Sequence, residues 1–200
     1  MKSDGRTGKL WFGLWMLHAM HSDGIISRLY RQNVGIALFN ASGQVLIARR
    51  IKDDGPEIIM AGHAWQMPQG GVDPEEDLEA AARRELWEET GIRSADVIGR
   101  LSAPVRYDFP PYSGPPHRLS GFRGQEQRWF AMHFTGTDSE IDLALGGNDA
   151  EPEFDSWRWE RLDRIIGLVV PYKQHIYAQV VREFAGLAGH GTAPRPMVGG

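Results

Sequence analysis

A layered α/β or α+β domain is what the chain predicts, and two observations carry that expectation. Short apolar runs rich in aromatic and β-branched residues recur between residues 33 and 159, and two substantial helical segments stand among and after them. The runs at residues 33–39 and 45–50 are separated by Asn40-Ala41-Ser42-Gly43-Gln44, a hairpin signal. Residues 52–62, with Asp53-Asp54-Gly55-Pro56, read as a surface loop. Further strands are expected at residues 97–101, 105–109, 125–134 and 154–159. Trp129, Trp157 and Trp159 lie in these runs, where alternation sends rings inward, so they are expected in the core. A last helix is expected over residues 172–187, where Ile176, Val180 and Phe184 recur at i+4.

The first helix carries the most information. A Gly-Gly turn, Pro74 and acidic residues precede strong helix formers from Leu78 to Trp87, and Gly91 ends the segment. At about 100° per residue, Glu85, Glu88 and Glu89 share one sector. Leu78, Ala81 and Ala82 lie in that sector, whereas Glu79, Arg83 and Trp87 lie opposite. The glutamates therefore face protein or a cleft. Like charges so placed resist ionising together unless a strong positive charge joins them, and a hard divalent cation such as Mg²⁺ or Mn²⁺ suits carboxylate oxygens. A solvated acidic helix face is the alternative for such a cluster taken alone.

With 200 residues the chain is long enough for one good core. Charged residues at 24% and hydrophobic ones at 42% are ordinary for a soluble globular domain. A formal net charge of -4 offers no global attraction to polyanions, so a nucleic-acid partner must be held by a local basic patch. The absence of Cys excludes disulfides and thiolate chemistry and is compatible with a cytoplasmic location. Lys2, Arg6 and Lys9 precede an apolar run, residues 10–17, that is too short to cross a bilayer and lacks a small-x-small cleavage site. Residues 1–29 are expected to be a poorly ordered extension, with Met16 and Met20 as alternative starts. Residues 30–187 are expected to form the domain, and the Gly- and Pro-rich residues 188–200 a disordered tail.

The full spacing adds a resemblance. Gly70, then Glu76, then Arg84-Glu85-Leu86, Glu88-Glu89 and Gly91-Ile92 match the signature called the Nudix box at each fixed position. Outside it, Tyr30-Arg31-Gln32-Asn33-Val34-Gly35, Ala64-Trp65-Gln66-Met67-Pro68-Gln69-Gly70-Gly71 and Gly124-Gln125-Glu126-Gln127-Arg128-Trp129-Phe130 stand in order. Ser139-Glu140-Ile141, Glu153-Phe154-Asp155-Ser156-Trp157-Arg158-Trp159 and Pro171-Tyr172-Lys173 follow. Together they resemble the bacterial RNA pyrophosphohydrolase branch of the Nudix hydrolases, which is itself similar to dinucleoside polyphosphate hydrolases. The chain departs from it at Gln32, where many relatives carry proline, and in a longer 52–62 loop that bears on the rim of the substrate cleft.

This resemblance implies a Nudix fold, an α/β/α sandwich around a mixed β-sheet, and Mg²⁺-dependent hydrolysis of a phosphoanhydride bond, with Mn²⁺ or another divalent ion as substitute. It implies that Glu85, Glu88 and Glu89 bind metal and that one of them positions or deprotonates the attacking water. Glu140 is implied as a further metal ligand from outside the helix. Arg31, Arg50 and Lys173 would meet the polyphosphate, Tyr172 would stack on the first base, and Gln69 and Gln125 would hydrogen-bond in the cleft. Gly70, Glu76, Arg84 and Gly91 would brace the box. The leading expectation is conversion of a 5′-triphosphorylated RNA end to a monophosphate, which opens the transcript to decay. Hydrolysis of dinucleoside polyphosphates to give ATP is the second, and a non-catalytic nucleotide-binding module the third. Neither DNA nor a membrane is implied as a partner, and the oligomeric state stays open.

Overall fold

Alternation along two strands sorts the apolar residues into two layers. In β1 (Tyr30–Phe39), Ala37 and Phe39 enter one core while Ile36 and Leu38 enter the other. β2 (Val45–Arg50) divides likewise, Val45 and Ile47 against Leu46. A sheet buried on both faces needs a covering layer on each. The computed structural model describes residues 29–144 and 152–188. The expected extension and tail lie outside these residues, apart from Leu29 and Ala188.

The described residues form one eight-stranded mixed sheet. Its spine is the pair β1 and β7 (Gly124–Phe134), parallel over their whole shared length from Tyr30 opposite Gly124 to Phe39 opposite His133. On one side, β1 pairs first with the short β4 (Gln69–Gly71) and then, at Phe39 opposite Val45, with β2. β2 continues to β3 (Trp65–Gln66) and to β8 (Phe154–Glu160). On the other side β7 carries β5 (Ala95–Arg100) and β6 (Val105–Asp108). The hairpin and the six longer strands lie where the sequence predicts them, within a few residues.

Helix α1 (Leu78–Thr90) covers one face with Ala81, Ala82 and Leu86. Asp77 caps its start by accepting from the Glu79 and Ala80 N–H groups, both at 3.0 Å. Gly91 ends it in the left-handed conformation, φ 75°, which only glycine adopts without strain. Helix α2 (Gln174–Phe184) covers the other face with Ile176, Tyr177, Val180 and Phe184. It is flanked by single 3-10 turns at Pro171–Lys173 and Ala185–Leu187, so the helical segment expected over residues 172–187 is irregular at both ends. Trp129 is fully buried on the α2 side, with its indole N–H donating to Gln127 Oε1 and its ring edge-on to Tyr177 at 5.4 Å. Trp157 and Trp159 are partly buried against the α1-side core. The result is an α/β/α sandwich.

The close approach of the spine strands depends on Gly35, which stands opposite Trp129 in the register. A Cβ at Gly35 would come within 2.5 Å of the Trp129 ring. Gly35→Ala is expected to destabilise the fold by about 1–3 kcal/mol through overpacking, measured by urea denaturation.

Candidate active site

The end of the sheet where β1, β4 and α1 meet opens into a cleft of about 280 Å³ lined by both acidic and basic side chains. Gly70 and Gly71 form its floor, and their lack of side chains is what lets the cleft exist. A Cβ on Gly70 would overlap the Glu85 carboxylate, and one on Gly71 would overlap the Arg31 guanidinium. Glu85, Glu88 and Glu89 all line the cleft, as their shared helical sector requires.

Arg84 organises the acidic side. Its guanidinium donates to both Glu76 oxygens at 2.8 Å, to Glu85 Oε1 at 2.8 Å, to Glu88 Oε2 at 3.0 Å and to the Gly71 carbonyl at 2.8 Å. Glu76 also accepts from the Asp73 N–H at 3.0 Å, and these bonds hold its carboxyl down at about 2. Glu76 and Arg84 thus brace the loop that enters α1.

Three of the acids that line the cleft behave in the opposite way. Burial pushes Glu85 up, against the pull of Arg84. Burial pushes Glu89 well up, and Glu153 and Glu85 push in the same direction. The Gln69 N–H, donating to Glu89 Oε2 at 2.9 Å, and Arg50 oppose this. Glu153 enters the cleft wall from the start of β8, and burial raises it too, despite Arg50 3.2 Å away. Among the described residues no three acids are gathered to ligand distance, since Arg84 ties Glu85 and Glu88 to itself. Four carboxylates sharing one cleft, among them Glu85 and Glu89, each raised by burial and then by a neighbouring acid, are nevertheless the hard-oxygen donor set that a divalent cation favours. The residues fit such an ion.

The remaining predicted residues divide. Arg31, Gln69 and Gln125 join the glutamates in the cleft. Gln69 is held by the Gln127 amide at 2.9 Å, and the buried Gln125 Oε1 has no hydrogen-bond partner. Arg31 is drawn down by burial and by the neighbouring Arg118, which stands at the rim.

Glu140 does not join the site. Its Oε1 accepts from the Arg93 and Ser94 N–H groups at 2.7 and 2.9 Å, so it pins the turn after α1 instead. Nor do Tyr172 and Lys173 line the cleft. Lys173 is 1% exposed and ion-paired to Glu57 at 2.8 Å, and the Tyr172 hydroxyl donates to the Ile58 carbonyl. Arg50 stands behind the cleft wall, 6% exposed, between Glu57 and Glu153.

Sequence reasoning missed Glu153 and Glu57. Glu153 opens a run that the resemblance already singles out, and its place immediately before a strand was the available signal. Glu57 had none, because it lies in a loop that reads as surface yet is 4% exposed.

A model of the NUDIX domain matches residues 29–184. The chain is similar to the RNA pyrophosphohydrolase of Rhodospirillum rubrum, with 50% identity over 161 residues, covering 80% of this chain and 89% of the relative. It is 48% identical to that of Caulobacter vibrioides (strain NA1000 / CB15N) over 166 residues, covering 82% and 91%. It is 47% identical to that of Rhodopseudomonas palustris (strain BisB18) over 159 residues, covering 80% and 90%. Among solved structures, the E. coli dihydroneopterin triphosphate pyrophosphohydrolase aligns with a TM-score of 0.53 at 18% identity, covering 78% of this chain and 99% of that one. The MutT protein from Methanosarcina mazei Go1 aligns at 0.52 and 22% identity, covering 77% and 94%. At these identities the solved structures speak for the fold.

Two expectations follow from the geometry. Carboxylates raised by burial favour folding when protonated, so in metal-free protein their contribution is full below the ordinary carboxylate range and is lost as pH rises through the raised values. Thermal unfolding in EDTA should therefore show stability falling from about pH 5 upward. Glu89→Gln should flatten that slope while lowering turnover by about 10³-fold. Glu153→Ala should slow turnover by about 10²-fold, whereas Glu140→Ala should keep it within about threefold and cost about 1–2 kcal/mol of stability. Steady-state rates and denaturation of the two variants decide this.

Proposed function

The chain belongs to the Nudix family, and we propose that it acts as an RNA 5′ pyrophosphohydrolase. Water would attack a phosphorus of the 5′-triphosphate, and the bond to the departing phosphate oxygen would break. Pyrophosphate leaves in one step, or phosphate in two, and a 5′-monophosphate end remains, the form open to decay. The observation that carries this reading is the acidic cleft on the box helix in a chain about half identical to relatives named for this activity, over some nine-tenths of their length.

Glu85, Glu88, Glu89 and Glu153 would hold the divalent cations, Mg²⁺ by preference. Bound there, the ions neutralise phosphate charge and lower the pKa of the attacking water. The protein's own contribution is position. Arg84 fixes the orientation of Glu85 and Glu88, and the Gln69 N–H fixes Glu89. Arg31, across the glycine floor, is a cation placed to meet a phosphate oxygen, and Gln125 brings an unsatisfied acceptor beside it. One box glutamate takes the proton of the attacking water. A complete set of box carboxylates gathered in one cleft, two of them raised by burial, argues for turnover over simple nucleotide binding.

With Mg²⁺ present, a 5′-triphosphorylated short RNA should yield phosphate or pyrophosphate at least about tenfold faster than diadenosine tetraphosphate is cut, and Glu89→Ala should abolish both. Preferential cleavage of the dinucleotide would replace the RNA reading with the dinucleoside polyphosphate one. Binding of both without cleavage would refute hydrolysis.

A further inference from the structure

The proposed chemistry ends at the 5′-triphosphate and leaves the rest of the RNA chain without a place. The segment joining β6 to β7, residues 109–123, borders the cleft and has the composition that such a place needs. From Val105 to Arg123 the sequence carries three arginines, Arg106, Arg118 and Arg123, against one acid, Asp108, in a chain whose net charge is -4. Phe109, Tyr112 and Phe122 are interleaved with them. A negatively charged protein that holds RNA does so through a local patch of this kind.

The segment is anchored along its length. Pro110, Pro111, Pro115 and Pro116 restrict its backbone, and Leu119 is fully buried. The Phe109 N–H donates to the Arg123 carbonyl at 2.9 Å, which ties the two ends together, and the Phe122 N–H donates to the Leu119 carbonyl at 3.0 Å. Phe109 packs edge-on to Tyr107 with ring centroids 5.9 Å apart, and the Tyr112 hydroxyl donates to the Pro115 carbonyl at 3.1 Å. Within this frame an open groove of about 480 Å³ remains, lined by Phe109, Tyr112, Phe122 and Arg123, with Pro56 from the neighbouring loop. The three rings are half-buried. Rings that served packing alone would close on one another, whereas these stand around a space that opens to solvent.

Groove and cleft are contiguous. Asp54 and Glu57 line the cleft, and Pro56 between them lines the groove. Arg118 lines the cleft, and Pro116 and Ser120, two positions to either side, line the groove. Arg118 therefore stands where one space passes into the other. Its side chain is 57% exposed and pairs with Asp54 at 2.6 Å, and that of Arg123 is 61% exposed and pairs with Asp108 at 2.8 Å. Exposed pairs of this kind contribute little to stability, so either guanidinium can exchange its carboxylate for a phosphate at small cost.

We propose that the 109–123 segment binds the RNA chain downstream of its 5′ end. Arg118 takes a phosphodiester where the chain leaves the cleft, and the groove takes a downstream base on the rings of Phe109, Tyr112 and Phe122, with Arg123 at its edge. Aromatic faces beside a short run of cations suit a single strand and tolerate any base. The proposal rests on the reading of the cleft as the site of the 5′-triphosphate. It gives RNA contacts that a nucleoside triphosphate, with no downstream nucleotide, cannot make.

The test compares, for the full chain with Mg²⁺, the KM for GTP with that for a 5′-triphosphorylated hexanucleotide beginning with G. Wild-type KM should be at least about tenfold lower for the hexanucleotide. Phe122→Ala should raise the hexanucleotide KM about tenfold and shrink the ratio accordingly, and Phe122→Tyr should restore it. Arg118→Ala should raise the same KM and reduce the slope of log KM against log salt by about 0.7, the share of one phosphate on a single strand, which a merely structural residue would not move. Should Phe122→Ala fold poorly, the exposed Arg118 and its salt slope decide the matter. A hexanucleotide KM equal to that for GTP, or a ratio and slope unchanged in both variants, overturns the proposal and leaves the groove to a protein partner or a second copy of this chain. Binding of a 5′-monophosphorylated hexanucleotide, followed by fluorescence anisotropy, reads the segment without turnover. Loss of that binding in Phe122→Ala, where wild type hydrolyses no RNA, would remove the hydrolysis reading alone. RNA hydrolysis with equal binding in wild type and both variants would remove the role of the segment alone.

Discussion

The site depends on one guanidinium. Three carboxylates on a single helical sector repel, and Arg84 lies one to five residues from them on the same helix. By bonding Glu76, Glu85, Glu88 and the Gly71 carbonyl at once, it joins the floor strand, the entry loop and the helix into one unit. Each of these bonds is charge-assisted or made to a backbone oxygen inside a partly closed space, where a hydrogen bond is stronger than in water. Glu89 is left out of this arrangement, and it is the carboxylate that burial and its neighbours push up most clearly. The metal-free chain thus stores repulsion where a cation is needed, with most of the surrounding geometry already set.

The sheet supplies the opposite wall. Because β1 and β7 run parallel, Arg31 and Gln125 stand side by side at one end of the spine, and β4 brings Gly70 and Gly71 against the same end of β1. Ladder hydrogen bonds therefore fix the distance between the cationic wall and the helix, as a flexible loop would not. Glu153 reaches the cleft because β8 pairs with β2 up to Arg50, with a register shift between Arg49 and Arg50 that ends the regular ladder there. Two cores, one under each helix and the larger under α2, hold that frame.

The sequence made the box helix legible because its period, its acidic start and its terminal glycine all point to the same element. The long strands were legible for the same reason. β3 and β4 were not, since two or three residues carry no period. Glu140 and Glu153 show a different limit. Each sits among other acids in a connecting segment, and the place of Glu153 immediately before a strand was the one local signal between them. Which one faces the cleft is decided by whether two N–H groups after α1 capture the first and whether β8 carries the second to Arg50. Lys173 is a similar case. The resemblance implies that it meets the polyphosphate, whereas its burial depends on a carboxylate from a distant loop.

The charge of the cleft completes the physical picture. Among the described residues, Asp54, Glu57, Glu85, Glu88, Glu89 and Glu153 line it against Arg31 and Arg118, and the whole chain is itself at -4. A polyphosphate approaching such a surface is repelled at distances inside the Debye length, about 8 Å at physiological salt. Base recognition and stacking act only after contact and do not remove that barrier. Cations must therefore arrive before the substrate or with it. The excess of acid over base then acts as a selectivity device: a polyphosphate carrying divalent ions is complementary to the cleft, and a bare polyanion is not. The basic groups that would weaken this discrimination, Arg50 and Lys173, are the ones buried behind the wall and matched by Glu57 and Glu153.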